Sequence, residues 1–351
     1  MLPLLSDRWV SALLPSPLPE ERKATCDACV MLPHPGEAPD RDAVTFTVKC
    51  CTYQPWMHNF LAGGVLLDAH ADALRGRGVI ERLIKARDGV SALGVRTAEW
   101  RLKVGREKPD TFGRSRALLC PHYQEEAGAC GVWRHREATC STWFCKHERG
   151  AVGLRFWDAL RLLLECLEQA LARHCALELE LGAEALEALS SSTRGPDFAE
   201  LFGPPTDAVW RQRWGRWAGR EREFFQRCAA VAAAVSPEQV LALGGSQARL
   251  LLELARTALE RHHDPGLSLV PLRVGRVRLV RGAPGSVRLE TYRAYDPIEL
   301  PQPLFAALAR FDGRPTPEVV EEIAARDGFA LGPELLRTLG DYEVLVPADG
   351  G

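Results

Sequence analysis

The sequence predicts an α+β protein in three parts: an irregular cysteine-rich metal-binding domain over 1–150, a helical region over 151–265 and a small winged-helix-like domain over 266–351. Three observations carry this. Eight of the eleven cysteines fall in the first 145 residues, in stretches without helical periodicity. Apolar residues then recur at three- and four-residue spacing between 151 and 263, the stripe of packed helices. Beyond 267 the pattern alternates, turns on Gly282-Ala283-Pro284-Gly285, and ends with three short apolar stripes and Val344-Leu345-Val346.

Taken in order, 1–25 reads as a leading strand or short helix followed by a linker with Pro15, Pro17 and Pro19. Asp7 and Arg8 interrupt the apolar start, so it is a poor signal peptide. Cys26-Asp-Ala-Cys29 follows. Ala43 to Val48 alternates as a strand does and leads into Cys50-Cys51. Helices are expected around 58–75, softened at Gly63-Gly64, and over 78–87; 90–119 reads as loops or short strands. Phe156, Leu160, Leu163, Leu164 and Leu167 mark a helix to about His174. Ser190–Ser192, Gly195 and Pro196 read as a loop, and Trp210, Trp214, Trp217, Phe224 and Cys228 as a further stripe. Ser236-Pro237-Glu238 is a helix start, with Pro at the first turn. Leu250, Leu251, Leu254 and Ala258 mark the last helix of this region, ending at His262-His263. In the C-terminal part Val277/Leu279 and Val287/Leu289 make a hairpin. Leu304 to Phe311, Val319 to Ile323 and Leu335 to Leu339 make three helices, and a strand closes the domain.

Composition sets limits on function. At 351 residues, 46% hydrophobic and 26% charged, the chain is long enough for two or three packed domains. A net charge of −2 gives no general field for nucleic acid or anionic lipid. No apolar run reaches the roughly 18 residues of a membrane span. A cytosolic location is therefore expected, where thiols stay reduced, and the odd cysteine count argues against a closed disulfide framework.

Eight thiols in such sequence point to a soft metal. Thiolates suit zinc and iron–sulfur clusters, and four complete a tetrahedral site or hold one cubane cluster. The candidate ligands are Cys26, Cys29, Cys50, Cys51, Cys120, Cys130, Cys140 and Cys145. Cys26 and Cys29 have the spacing by which a tight turn presents two sulfurs to one metal. Cys50 and Cys51 are adjacent, so an extended backbone would send them to two centres unless it kinks. The gaps from Cys120 to Cys145, of 9, 9 and 4 residues, match no zinc-finger formula. Tyr53, Trp56, Trp133, Trp143 and Phe144 crowd these cysteines, as a dry shell around a redox cluster or as ordinary core. His122, His135 and His147 are the nearest imidazoles. Cys166 and Cys228 sit on apolar helical faces and read as core; Cys175, beside His174 near a helix end, reads as core with a further ligand as the alternative.

The run Cys130-Gly-Val-Trp-Arg-His-Arg-Glu-Ala-Thr-Cys140-Ser-Thr-Trp-Phe-Cys145, with Cys120 before it, resembles the second half of YkgJ-like cysteine-cluster proteins, described as zinc- or iron-chelating. In that family a CxxC near a Cys-Cys pair supplies the other ligands, and Cys26, Cys29, Cys50 and Cys51 follow that order. Two features depart from it: about twenty residues separate the two pairs, and Glu137 stands where a proline is usual. The resemblance implies metal binding over residues 26–145 and leaves the metal open. The C-terminal part, from Val274-Gly275-Arg276-Val277 through Phe311-Asp312-Gly313 to Tyr342–Val346, resembles PqqD-like domains. That likeness implies a peptide-recognition element that adds an extended leader segment to a hairpin edge. Arg273, Arg276, Arg278, Arg281 and Arg288 would give the hairpin a basic face.

The expected function is thus a cytosolic metal- or iron–sulfur-binding protein, a redox or modification component acting on a partner peptide. The alternatives are a zinc-stabilised, non-enzymatic peptide-binding module and a cluster-sensing winged-helix regulator. No membrane association is expected, and near-neutral charge disfavours nucleic acid. No catalytic residue is assigned, since nucleophile elbow, phosphate loop and dinucleotide fingerprint are all missing from the sequence. The Trp and Arg alternation around Trp210–Trp217 puts the three Trp on one face, which reads as packing rather than base stacking.

Overall fold

The fold is α+β, with helix dominant and the strands gathered in small antiparallel sheets. The computed structural model describes residues 2–15, 17–26, 28–32, 46–97, 99–192, 205–264 and 270–348. The chain divides into two compact units, each made of three segments. The first comprises Met1–Ser16, Phe46–Trp143 and Ala159–Ala255; the second comprises Pro17–Thr45, Phe144–Asp158 and Arg256–Gly351. Neither unit is one continuous stretch of chain.

In the first unit the N-terminus is helical, α1 (Leu4–Leu13), burying Trp9, Val10 and Leu13. Strand β1 (Trp56–His58) runs into α2 (Asn59–Leu67). The helix expected to 75 stops at Leu67, and the next one, α3 (Leu74–Ala86), begins earlier than expected. Gly63 and Gly64 do not break α2. A Cβ on Gly63 would lie 1.8 Å from the Phe225 carbonyl oxygen, and one on Gly64 2.6 Å from His135 Nδ1. The pair therefore lets a neighbouring backbone and an imidazole approach closely.

Strands β2 (Val90–Ser91) and β3 (Gly94–Arg96) form a sheet with β1, in the order β1-β3-β2. A helix absent from the sequence reading follows, α4 (Glu99–Glu107). Phe46 to Val48 is not a strand: Thr47 and Val48 both donate their N–H to one distant acceptor, the Gly113 carbonyl, where a ladder would use alternating acceptors. Ala43 to Thr45 lie outside the described residues.

A small hairpin, β4 (Tyr123–Gln124) with β5 (Ala129–Cys130), precedes the short helix α5 (Ala138–Thr142). The long α6 (Gly150–Glu178) carries the expected stripe, with Phe156, Leu160, Leu163, Leu164 and Leu167 buried. Its first nine residues belong to the second unit. The loop read at Ser190–Ser192 is instead the end of α7 (Ala183–Ser192), while Gly195 and Pro196 lie outside the described residues. The tryptophan stripe is not one helix. α8 (Asp207–Trp214) ends where Gly215 takes φ 51°, and α9 (Glu221–Ala234) starts after a short 3-10 turn. Glu221 fastens this reversal by accepting from Trp210 Nε1 at 2.7 Å and from the Gly219 N–H at 2.7 Å. The three Trp are buried together, as packing predicted.

α10 (Pro237–His263) starts as the sequence indicates. Ser236 Oγ accepts from Gln239 N at 3.2 Å, and Gln239 Oε1 accepts from Ser236 N at 2.8 Å, a reciprocal cap. The stripe assigned to it needs correction. Leu250 and Leu254 are 64% and 49% exposed, and the buried face is Ala248, Leu252, Ala255 and Leu259. Gly245, at φ 62°, interrupts the helix and resets which face points inward.

The second unit holds the C-terminal elements. β6 (Leu272–Val274) pairs with β10 (Leu345–Pro347), and β7 (Arg278–Arg281), β8 (Ser286–Glu290) and β9 (Ile298–Pro301) form an antiparallel sheet in that order. The hairpin registers Arg278 on Glu290 and Leu279 on Leu289, as the alternation requires; β9 was not foreseen. The three helices are α11 (Gln302–Ala307), α12 (Thr316–Asp327) and α13 (Pro333–Asp341). Leu289, Leu300, Leu308, Phe311, Ile323 and Leu339 lie in their shared core. Arg149 clamps Asp341 with two bonds of 2.8 and 2.7 Å and also donates to backbone carbonyls at the end of α10, to Asp264 O at 3.0 Å and to His262 O. Among the described residues no single helix is long and apolar enough to cross a membrane.

Candidate metal centre

The two units divide the eight cysteines in an order the sequence does not suggest. Cys50, Cys51, Cys120, Cys130 and Cys140 lie in the first unit, and Cys26, Cys29 and Cys145 in the second. None of the eleven cysteines is in a disulfide.

In the first unit, backbone bonds bring separate stretches together. Cys120 N donates to Cys51 O at 2.6 Å, and Tyr123 N to Cys120 O at 2.9 Å. The β4–β5 hairpin then sets Cys130 opposite Tyr123, with Gly131 N on His122 O at 2.8 Å. Cys140 arrives on α5. Glu137 caps that helix, its carboxylate accepting from Thr139 N and Cys140 N, each at 2.8 Å. Glu137 thus starts the helix that carries a thiol. Arg136 lies on the Trp133 ring at 3.5 Å and donates to Cys140 O at 3.2 Å, holding the other side of the turn.

Electrostatics follow from this gathering. The Cys51 thiol is lowered to about 7, first by its hydrogen bond with Cys50 and then by Lys49 and Arg136. A thiol so placed is about half thiolate near neutral pH, the form that binds metal. Burial pushes Cys120 up to about 12, with Cys130 and Cys51 adding to the rise. Cys140 is raised strongly by burial, then by Glu137, Cys120 and Cys130. Four of these thiols therefore feel one another's charge, and a cation among them would relieve that repulsion. Behind Cys140 stands an acidic wall: Glu168 accepts from Ala138 N at 3.2 Å and Glu165 from Thr139 Oγ1 at 3.0 Å. Burial, then Glu137, raises the Glu168 carboxyl strongly, and His58 Nε2 lies 4.0 Å from it.

In the second unit Cys26 and Cys29 occupy a turn closed by Thr25 Oγ1 on Ala28 O at 2.6 Å and by Leu32 N on Cys29 O at 3.0 Å. Cys145 is buried, and its thiol is pushed up to about 11 by burial, then by Cys29, with Cys26 contributing. Next to it is a buried polar network. His147 N donates to Asp296 Oδ2 at 3.0 Å, Tyr292 Oη donates to the same carboxylate, and Lys23 Nζ donates to Tyr342 Oη at 3.1 Å.

The donor chemistry fits a soft metal or cluster, with at least four thiols in the first unit. Among the described residues, however, no three Cys, His, Asp or Glu side chains converge closely enough to hold an ion as they stand. The aromatic shell is only partly dry. Trp133 and Tyr53 are exposed, while Trp143 packs edge-on against Phe112 at 5.3 Å. Among the histidines, His135 bonds Asp68 at 3.0 Å, and His122 is buried and held down to about 4 by desolvation. Cys175 and Cys228 are core thiols, and Cys175 Sγ donates to the Cys228 carbonyl at 3.5 Å. Glu165, Glu168, Tyr292 and Asp296 carried no sequence signal, being single polar residues in helical or loop sequence. Compared with protein-family models, curated proteins and solved structures, the chain matches none of them.

Proposed function

We propose that the protein binds metal through cysteine thiolates, as an iron–sulfur cluster or, as the alternative, zinc. One observation carries the reading: the first unit draws Cys50, Cys51, Cys120, Cys130 and Cys140 from three separated stretches into electrostatic contact, with one thiol lowered to about 7. A bound cation would stabilise such a group of neighbouring thiols in the thiolate form. The YkgJ-like resemblance supports the same reading. The cytosol, with its reduced thiols, is the compartment it requires. The test is anaerobic purification followed by iron, zinc and acid-labile sulfide analysis. Iron with sulfide, or stoichiometric zinc alone, is the expected result. Protein that holds neither after anaerobic reconstitution ends the reading.

A second reading, peptide recognition by the C-terminal elements, is favoured by β7. Among the described residues β7 pairs with β8 alone, so it is an edge available for strand addition. Its charge is less basic than the sequence suggests, because Arg278 bonds Glu290 at 2.9 Å and Arg288 lies 3.5 Å from Glu299. Titration of the full chain with precursor peptides and with duplex DNA, at two salt concentrations, separates this reading from the winged-helix regulator. Peptide binding supports the modification component; binding to DNA alone replaces it with the regulator.

A further inference from the structure

We propose that the solvent face of α3 binds duplex nucleic acid, holding its phosphate backbone through Arg75, Arg77, Arg82 and Lys85. The surface is independent of the thiolate reading, although it adjoins the first-unit cysteines.

The first support is a local charge that the net charge of −2 conceals. From Arg75 to Arg116 the sequence holds twelve Lys or Arg and five Asp or Glu, an excess of seven cations, so the rest of the chain carries the opposite excess. Screening confines exposed charge to roughly 8 Å at physiological salt, and acids beyond that range do not cancel a concentrated patch.

The second support is how α3 displays its cations. Val79 and Ile80 are buried, and a Cβ on Gly76 would lie 2.4 Å from the Gly131 carbonyl oxygen, so this side of the helix faces inward. Away from it stand Arg77, Glu81 and Lys85 at four-residue spacing, with Arg75 and Arg82 in the next row. Arg75, Arg82 and Lys85 are exposed and Arg77 is half-buried. Among the described residues none of the four has a carboxylate partner. Glu81 is the only acid in the helix, and Arg222 of α9 lies 3.4 Å from it. Its charge is therefore balanced from outside, and the four cations stay uncompensated. Arg75 Nε donates to Pro121 O at 3.2 Å, which orients the guanidinium and leaves its terminal nitrogens for a phosphate. Arg101 of α4 holds Leu119 O at 2.7 Å, so both helices grip the backbone beside Cys120.

The chemistry of the face selects the partner. A protein interface is built round an apolar core, and single-strand binding uses aromatic platforms. Leu74, at the first turn, is the one large apolar side chain exposed on α3, and the helix has no aromatic residue. A helix that lies on anionic lipid inserts an apolar face, and α3 packs its own inward. Duplex interfaces are polar and strongly basic, with Arg and Lys on phosphate oxygens. At 13 residues α3 is about 20 Å long, enough to meet several phosphates.

The test is fluorescence anisotropy of a short labelled DNA duplex titrated with the full chain at about 50 and 200 mM salt. Circular dichroism and metal content are followed alongside. Wild type binds, and its affinity falls steeply with salt. Arg75→Gln/Arg82→Gln/Lys85→Gln weakens binding at least about 10-fold at the lower salt and reduces the slope of log affinity against log salt by about 3. Arg278→Gln/Arg281→Gln on β7 leaves both unchanged, which separates this contact from one made by the C-terminal elements. Should the triple variant misfold, the exposed Lys85→Gln decides, through a slope change of about 1. An unaltered slope in the α3 variants, or binding lost in the β7 variant alone, overturns the proposal. So does wild type that binds no duplex at the lower salt, or that binds phosphatidylglycerol vesicles and not duplex. None of these outcomes touches the metal content on which the thiolate reading depends.

Discussion

The thiols of the two units differ in how much structure surrounds them. In the first unit five cysteines are set by backbone bonds, a hairpin, a capped helix and a buried carboxylate wall. In the second, Cys145 is buried, Cys26 is exposed and Cys29 half-buried, and order is concentrated in a tyrosine–aspartate network next to Cys145. The difference teaches that cysteine spacing does not reveal which thiols belong together. Cys145 is five residues from Cys140 in sequence, yet its partners are more than a hundred residues away, because the chain passes into the other unit between Trp143 and Phe144.

The largest effect separates ligands from core thiols. Cys140→Ser and Cys145→Ser should each remove metal and cost several kcal/mol of metal-dependent stability, since the free energy of thiolate ligation is also free energy of folding. Cys228→Ser should leave metal content alone and cost only packing and a buried hydroxyl, about 1–3 kcal/mol. Metal analysis and thermal unfolding check this; equal metal content in all three variants contradicts the ligand assignment.

A pH effect of similar size sharpens the comparison from the side of the first unit. Burial lowers His58 to about 4 from an ordinary 6.5, so the folded protein holds it neutral. The stability this contributes is complete above 6.5 and is lost as pH falls toward 4, about 3 kcal/mol in all. Urea unfolding of metal-free protein across that window should show the loss, and His58→Gln should reduce it, with His122 contributing the remainder. An unchanged slope in the variant would assign the acid sensitivity elsewhere.

The smallest of these concerns packing that owes nothing to metal. Gly63→Ala puts a methyl against the Phe225 carbonyl and forces α2 away from α9, at a cost of about 1–3 kcal/mol or more. That cost should be the same with and without metal. A cost that appears only in metal-free protein would mean the first unit is built on its cysteines.

The helices of the first unit were legible because their stripes are continuous, as on α6, and the reciprocal cap at Ser236 and Gln239 marked a true start. Where a glycine redirected the chain the reading slipped. Gly215 divides the tryptophan stripe into two helices, and Gly245 turns Leu250 and Leu254 outward. The hairpin around Gly282–Gly285 was legible from alternation, but β9 was not, since Asp296-Pro-Ile-Glu-Leu-Pro shows no clear period. The eight candidate ligands could be read from residue type alone. Their grouping could not, because it is made at long range, by Glu21 and Lys23 on the Glu148 backbone, and through the local cap of Glu137.

The most direct measurement of the central claim is cysteine alkylation footprinting of the full chain by mass spectrometry, with and without metal. Metal should protect Cys50, Cys51, Cys120, Cys130, Cys140, Cys26, Cys29 and Cys145, or at least four of the first five, and leave Cys166, Cys175 and Cys228 unchanged. In Cys140→Ser, protection should weaken across Cys50, Cys51, Cys120 and Cys130. Metal that changes the labelling of none of the eight would contradict the account.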